Sequence, residues 1–175
     1  MCNLNAISAL LLAVEALLLA VVLTSLGEAA HNPGTVLGGS NLILSGSIIA
    51  LGAAAVALKA IDSQLNNCAA QCPSQAASLK ASVRVLIATV ATLATLILGV
   101  ILFPPSWIVL QSIILSSLLA QGLTLAVIGR DLTKLGTCVS KSLPILVVIA
   151  TAGAVIVGIA SVAPVIFGLL HPPRG

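Results

Sequence analysis

Charged and aromatic residues are both scarce in this chain. Charged side chains make up 6% of its 175 residues, and it has no tyrosine, one tryptophan and two phenylalanines. Soluble domains have about 25% charged residues, and a chain of this size needs polar groups to cover its surface in water. The composition therefore excludes an ordinary soluble domain. With 59% apolar residues, it predicts an all-α integral membrane protein in a lipid bilayer.

Basic patches and catalytic motifs are also missing. The net charge is only +3, and no basic run is interleaved with aromatic residues, so we expect no nucleic acid partner. Neither G-x-S-x-G nor H-E-x-x-H occurs, and four acids with two histidines are too few for a convincing acid–base site. We therefore expect a protein that is not an enzyme, and the sequence identifies no cofactor.

The apolar residues fall into five long segments, which together predict a single transmembrane helical domain over residues 1–175. Each segment has the length of about 20 residues that a helix needs to cross a hydrocarbon core. The Asn32-Pro33-Gly34 turn and the Pro104-Pro105 pair separate neighbouring segments, and Pro164 predicts a kink in the last one. The predicted helices are 5–27, 36–61, 83–103, 106–129 and 143–170.

The first segment could instead be a signal peptide, in which case four helices would remain. It has no basic residues before its apolar run, and Glu15 interrupts that run. The sequence that follows, GEAAH, is a poor cleavage site. These features favour a retained first helix.

The basic residues predict an orientation. With five crossings, the N-terminus and the loops 62–79 and 130–142 share one face, here called face A. The loop 28–35, the Pro104-Pro105 turn and the C-terminus share the opposite face, face B. Only Arg174 lies at face B, whereas six basic residues lie at face A: Lys59, Lys80, Arg84, Arg130, Lys134 and Lys141. The positive-inside rule then predicts that face A is cytoplasmic and that the C-terminus lies on the other side.

Two further patterns concern repetition and packing. VRVLIATVATL after Ser82 resembles ILVVIATAGAV after Pro144, which suggests that segments two and three repeat as segments four and five. Chance similarity between apolar helices explains the match at least as well.

Small residues also recur at four-residue spacing, which favours close packing of helices in lipid, either inside the bundle or against partners. These stripes are Ala91-Thr95-Gly99, Ser112-Ser116-Ala120, Ala150-Ala154-Gly158 and Gly46-Ala50-Ala54.

Glu15 is the clearest candidate for a functional residue inside the membrane. A charged side chain at the centre of a helix costs about 2.5 kcal/mol or more on insertion scales, and such residues often bind protons or ions. Gln111 and Gln121 in segment four are candidate partners on an ion or proton path. The alternatives are a protonated Glu15 bonded to a nearby hydroxyl, a shallow position, and interhelical hydrogen bonds with no wider role.

Cys2, Cys68, Cys72 and Cys138 all fall at face A in this topology, which leaves three interpretations open. A four-thiolate metal site is one, but paired ligands usually stand two residues apart, not three. A disulfide or thiol-exchange function is the second, but it needs an oxidising compartment. Unconnected thiols, some of them lipidated, are the third, and chance placement favours this interpretation.

Three functions remain for such a protein. The short loops and packing stripes favour a structural or accessory subunit that assembles with other membrane subunits or with itself. A small channel or transporter using Glu15 is the first alternative. A membrane thiol-redox or metal-handling protein using the four cysteines is the second. The composition also leaves a pore-forming toxin open.

Overall fold

A computed structural model describes residues 2–31, 41–102 and 107–170 of the chain. Over these ranges the chain is helical and has no strand, which confirms the all-α prediction. The last apolar segment contains two consecutive helices. The helices are α1 (Leu4–His31), α2 (Asn41–Leu65), α3 (Pro73–Leu102), α4 (Trp107–Val139), α5 (Ile145–Ala160) and α6 (Val162–Leu170).

Within the described residues, three helices contain stretches that are long and apolar enough to cross a bilayer. The stretches are Leu4–Thr24 in α1, Ser45–Leu65 in α2 and Pro73–Gly99 in α3. Helix α5 is apolar but shorter, at 16 residues. The structure therefore supports a helical bundle with several candidate membrane-spanning helices.

Two helices extend much further toward face A than their apolar segments. Helix α3 begins at Pro73 and α4 ends at Val139, so each is about ten residues longer than predicted at that end. The extensions are amphipathic: Ala76, Leu79 and Val83 are buried at helical spacing among polar neighbours. The predicted loops over these residues were wrong, because low average hydropathy hid a helical pattern.

The last apolar segment is interrupted where proline requires it. Helix α5 ends at Ala160, and α6 begins at Val162 with Pro164 as its third residue. Proline has no backbone N–H, so it is tolerated only in the first turn of a helix, where that group would have no partner. Restarting the helix at Val162 meets this condition, and the interruption lies three residues before Pro164, where the sequence predicts a kink.

The long helices close into a ring. Each packs against its neighbour in sequence from α1 to α5, and α5 packs back against α1, with α6 also contacting α1 and α4. On α1 the buried apolar residues recur at spacings of three and four, which is the pattern of left-handed helix packing. These residues are Leu4, Ile7, Leu11, Val14, Leu18 and Val21. The core is thus filled by large aliphatic side chains.

Glycines bring α4 and α5 close together. Gly122, Gly129 and Gly136 recur every seven residues along α4. A Cβ at Gly122 would lie 2.8 Å from the carbonyl oxygen of Gly158, and a Cβ at Gly158 would lie 2.8 Å from the carbonyl oxygen of Gly122. Neither position has room for a side chain, so this pair fixes the backbone approach of the two helices.

The predicted small-residue stripes divide between the inside and the outside of the bundle. Ala150, Ala154 and Gly158 on α5 are buried, as internal packing requires. By contrast, the predicted stripes of α3 and α4 turn outward: their members Ala91, Thr95, Ser116 and Ala120 are exposed. The α1 alanines at positions 9, 13, 16 and 20 are exposed as well.

Candidate functional site

The four cysteines form two disulfides at one end of the bundle. Cys2 pairs with Cys68 across a Cα–Cα distance of 4.5 Å, and Cys72 pairs with Cys138 across 6.3 Å. Both distances lie in the range that a disulfide spans. Cys68 and Cys72 are fully buried and connected by one turn, since the amide of Cys72 donates to the carbonyl of Cys68 at 3.0 Å.

The interpretation of the cysteines as unconnected thiols is therefore wrong, because no cysteine of the structure is free. Charge distribution indicates which side of a membrane a loop occupies, but it says nothing about distances between loops. A four-thiolate site is not formed either, because these sulfurs bond to one another. Among the residues that the structure describes, no three His, Cys, Asp or Glu side chains are grouped to hold a metal ion.

The disulfides divide the chain into two helical hairpins of equal length. Each bond joins residues 66 positions apart. Cys2 and Cys68 enclose α1 and α2, whereas Cys72 and Cys138 enclose α3 and most of α4. This division places a two-helix unit at 2–68 and another at 72–138. It differs from the repeat suggested by sequence similarity, which pairs segments two and three with segments four and five.

Polar contacts join the helices near the disulfide-bonded end. The Ser82 hydroxyl donates to Asp131 Oδ2 at 2.8 Å, linking α3 to α4. Arg84 forms an ion pair with Asp62 at 3.3 Å, linking α3 to α2. Lys80 also donates a hydrogen bond to Asn66. The exposed ion pair contributes little to stability, but the three contacts together fix the register of α3.

A polar cavity lies between the face A extensions of α3 and α4. Its volume is about 260 Å³, and its lining residues are Ser74, Gln75, Ser78, Asp131 and Lys134. Asp131 is 7% exposed, and within the described residues no ion pair or further hydrogen bond reaches its Oδ1. The cavity thus holds a largely buried carboxylate, and in the part of the chain that the structure describes its hydrogen-bond partner is the Ser82 hydroxyl.

Glu15 lies buried between α1 and α5. Its side chain is 3% exposed, and its Oε2 occupies the space where a Cβ at Gly153 would stand. The carboxyl carbon is 3.1 Å from that same position. Oε1 has no hydrogen-bond partner within the described residues. A carboxyl group in this setting is costly to bury, and the absence of a side chain at Gly153 makes room for it.

Gln121 is fully buried on α4, and neither atom of its amide has a partner in the described part of the chain. Gln121 is next to Gly122, which packs against Gly158 of α5. Glu15 packs against Gly153, at a different height along the same helix. Five residues of helix separate these levels by about 7 Å, and no hydrogen bond joins Glu15 to Gln121. The buried Ser8 hydroxyl, two turns from Glu15 on α1, is likewise without a partner within the described ranges.

Some predicted residues lie outside the description. The side chains of Gln111 and His31 are not described, nor are His171 and Arg174.

The sequence did not predict a role for Gly153, Asp131 or the α3 serines. Asp131 and the serines were assigned to loops, so their helical spacing was not used. Gly153 lies in an apolar segment rich in small residues, and no sequence signal connects it to Glu15.

Comparison with protein-family models, curated proteins and solved structures finds no match to this chain. Its function is therefore argued from its own residues.

Proposed function

We propose that this chain is a multi-pass membrane protein that crosses the bilayer five times and acts as a structural or accessory subunit. Its outer surface packs against helices of other membrane chains or of further copies. The observation that supports this most directly is an outward-facing groove built from small side chains.

The groove runs between α3 and α4 and has a volume of about 540 Å³. Its lining residues are Val85, Ala88, Thr89, Thr92, Ser116, Ser117 and Ala120. Lipid tails are as apolar as leucine, so helices in membranes associate through close packing at small residues. A transmembrane helix of a partner chain fits this chemistry, because its backbone can approach where the side chains are short.

The exposed face of α1 supports the same function. Its alanines at positions 9, 13, 16 and 20 form a continuous outward ridge of small side chains. By comparison, the exposed face of α2 mixes small residues, such as Gly46 and Gly52, with Ile49 and Val56, each 72% exposed. The α3–α4 groove and the exposed alanines of α1 are therefore the surfaces that best suit close helix contact.

Purification from the native membrane tests this proposal. We expect other membrane chains, or further copies of this one, to remain with the protein after mild solubilisation. Ala120→Phe should fill the groove and reduce their recovery at least fivefold. Val56→Phe, a matched enlargement on the exposed face of α2, should leave it unchanged. A wild-type monomer without partners in native membranes would contradict the proposal.

Glu15 supports a second candidate, a small channel or transporter. A buried carboxyl group with an oxygen that has no partner among the described residues is the kind of group that binds a proton or cation inside a membrane. Flux of protons, Na⁺ or K⁺ into liposomes should then fall in Glu15→Gln. Equal flux in the wild type and the variant would remove Glu15 from such a path.

The adjoining disulfides support a third candidate, a thiol-redox protein. A dithiol substrate would transfer two electrons and two protons to one disulfide, giving two cysteine thiols and a substrate disulfide. Trapping thiols in native membranes before solubilisation tests this. A measurable reduced fraction that changes with the redox state of the cells supports exchange, whereas a constant oxidised state opposes it.

The proposed membrane protein also has a proposed orientation in the bilayer. Six of the seven Lys and Arg residues lie at face A by sequence, which supports a cytoplasmic face A and a C-terminus on the opposite side. The two disulfides favour the reverse, since disulfides persist mainly in oxidising compartments. We retain the orientation that the charges support, and a reporter fused to the C-terminus tests it.

A further inference from the structure

We propose that the cavity between the face A extensions of α3 and α4 binds a small zwitterion of the α-amino-acid type. The ligand enters from the aqueous side of face A. Its ammonium group lies against Asp131, and its carboxylate lies toward Lys134 and the first turn of α3.

Asp131 supplies the recognition of the ammonium group. Its side chain is more than nine-tenths buried, and Ser82 satisfies only Oδ2. Within the described residues Asp131 has no ion pair, so its charge is available to a cationic group that enters the cavity. The cavity opens onto this carboxylate, so a cationic group bound there gains both a charge partner and a hydrogen-bond acceptor.

The outer part of the cavity has the opposite electrostatic character. Lys134 lies one helical turn closer to the α4 end than Asp131 and lines the same cavity. Ser74 and Gln75 belong to the first turn of α3, where backbone N–H groups and the helix dipole favour negative charge. A ligand with one cationic and one anionic group therefore matches both ends of the cavity.

This polarity argues against two other ligands. A phospholipid headgroup places its phosphate nearer the membrane and its amine further out, which reverses the order of Asp131 and Lys134 along α4. A divalent cation would suit the carboxylate and the serine hydroxyls, but the Lys134 ammonium in the same lining would repel it.

The volume of the cavity is consistent with a small solute. Liquid water occupies about 30 Å³ per molecule, so a cavity of 260 Å³ has the volume of roughly nine waters. Drug-sized ligands occupy pockets of about 300–1,000 Å³. An amino acid with a short or medium side chain fits within the smaller volume.

Thermal-shift and calorimetric titration of the full-length, disulfide-intact protein in detergent test the proposal. The probes are the twenty common amino acids, each added singly. Propylamine, propionate, magnesium chloride and glycerophosphoethanolamine serve as single-charge, metal and headgroup controls. We expect saturable binding of at least one amino acid, with at least tenfold weaker binding of every control probe.

Variants locate the binding. Asp131→Asn and Lys134→Met should each weaken binding at least tenfold, and Ser78→Phe should abolish it by filling the cavity. Asp62→Asn and Lys141→Met remove the same charges outside the cavity and should bind as the wild type does. Ser78 is exposed, so its variant should fold even if Asp131→Asn does not. Binding of no amino acid, equal binding of propylamine, or full binding by Ser78→Phe would each overturn the proposal.

Discussion

The carboxyl group of Glu15 occupies the space in which a side chain at Gly153 would begin. Its Oε2 overlaps the Cβ position, and its carboxyl carbon lies 3.1 Å from it. Glu15 of α1 thus fits against α5 only because residue 153 has no side chain. This relationship links the stability of the α1–α5 contact to residue 153.

Gly153→Ala should destabilise the protein by about 1–3 kcal/mol, because the added methyl overpacks the interface against Glu15. Thermal unfolding in detergent measures the loss. Gly52→Ala on α2 is the matched control, since nothing lies within 4 Å of its Cβ position. Alanine is the better helix former, so the control should be neutral or stabilising. Equal effects at both positions would contradict the packing described for Glu15.

Gly158→Ala should be at least as damaging as Gly153→Ala. At Gly158 the added Cβ would lie 2.8 Å from a backbone oxygen, that of Gly122, and a backbone cannot rotate away as a carboxyl group can. We expect a loss of about 2–3 kcal/mol or more, measured by the same unfolding assay. Gly99→Ala, whose Cβ position is open, provides the control. A harmless Gly158→Ala would mean that α4 and α5 lie further apart.

Peptide mapping without reductant should recover Cys2 linked to Cys68 and Cys72 linked to Cys138. Thiol labelling of the unfolded protein should detect no free thiol before reduction. Each bond closes a loop across 66 positions, for which chain entropy gives a stabilisation of about 4 kcal/mol as an upper value. Removing one pair by double serine substitution should therefore lower the melting temperature clearly. A bond between Cys68 and Cys72, or free thiols, would show the pairing to be different.

A reporter enzyme that works only outside the cytoplasm should be active when it is fused to the C-terminus. This follows from the excess of basic residues at face A. The same reporter inserted between the hairpins, at Ala70, should be inactive. The opposite pattern would place the disulfides in an oxidising compartment and would show that these loop charges do not set the orientation.

The sequence predicted the helices better than it predicted their ends. Long apolar runs identified the helical segments, and the predicted kink at Pro164 lies close to the interruption after Ala160. The extensions of α3 and α4 were missed because residues such as Ser74 and Lys134 make their average composition polar. The helical signal there is the spacing of buried apolar residues: Ala76, Leu79 and Val83 on α3, and Ile128, Leu132 and Leu135 on α4.

Contacts between distant residues were harder to predict than helices. The topology placed all four cysteines at one face, but it could not determine which pairs come within bonding distance. Glu15 stood out because acids are rare in apolar segments, whereas its neighbour Gly153 is one of 14 glycines. Likewise, Ser116 and Ala120 form a regular stripe, yet Gly122 and Gly129 make the contact with α5. Spacing alone does not specify which face of a helix meets its neighbour.

The two disulfides make the chain a pair of covalent rings joined by the short exposed linker 69–71. A protease that cuts once inside either ring leaves one covalent molecule, and the two pieces separate only after reduction. A single cut between Cys68 and Cys72 has a different result, because no covalent bond then joins the α1–α2 hairpin to the rest of the chain, and unfolding separates the two pieces without any reductant. The linker is thus the one place within 2–138 where a break in the backbone alone leaves two covalently separate pieces.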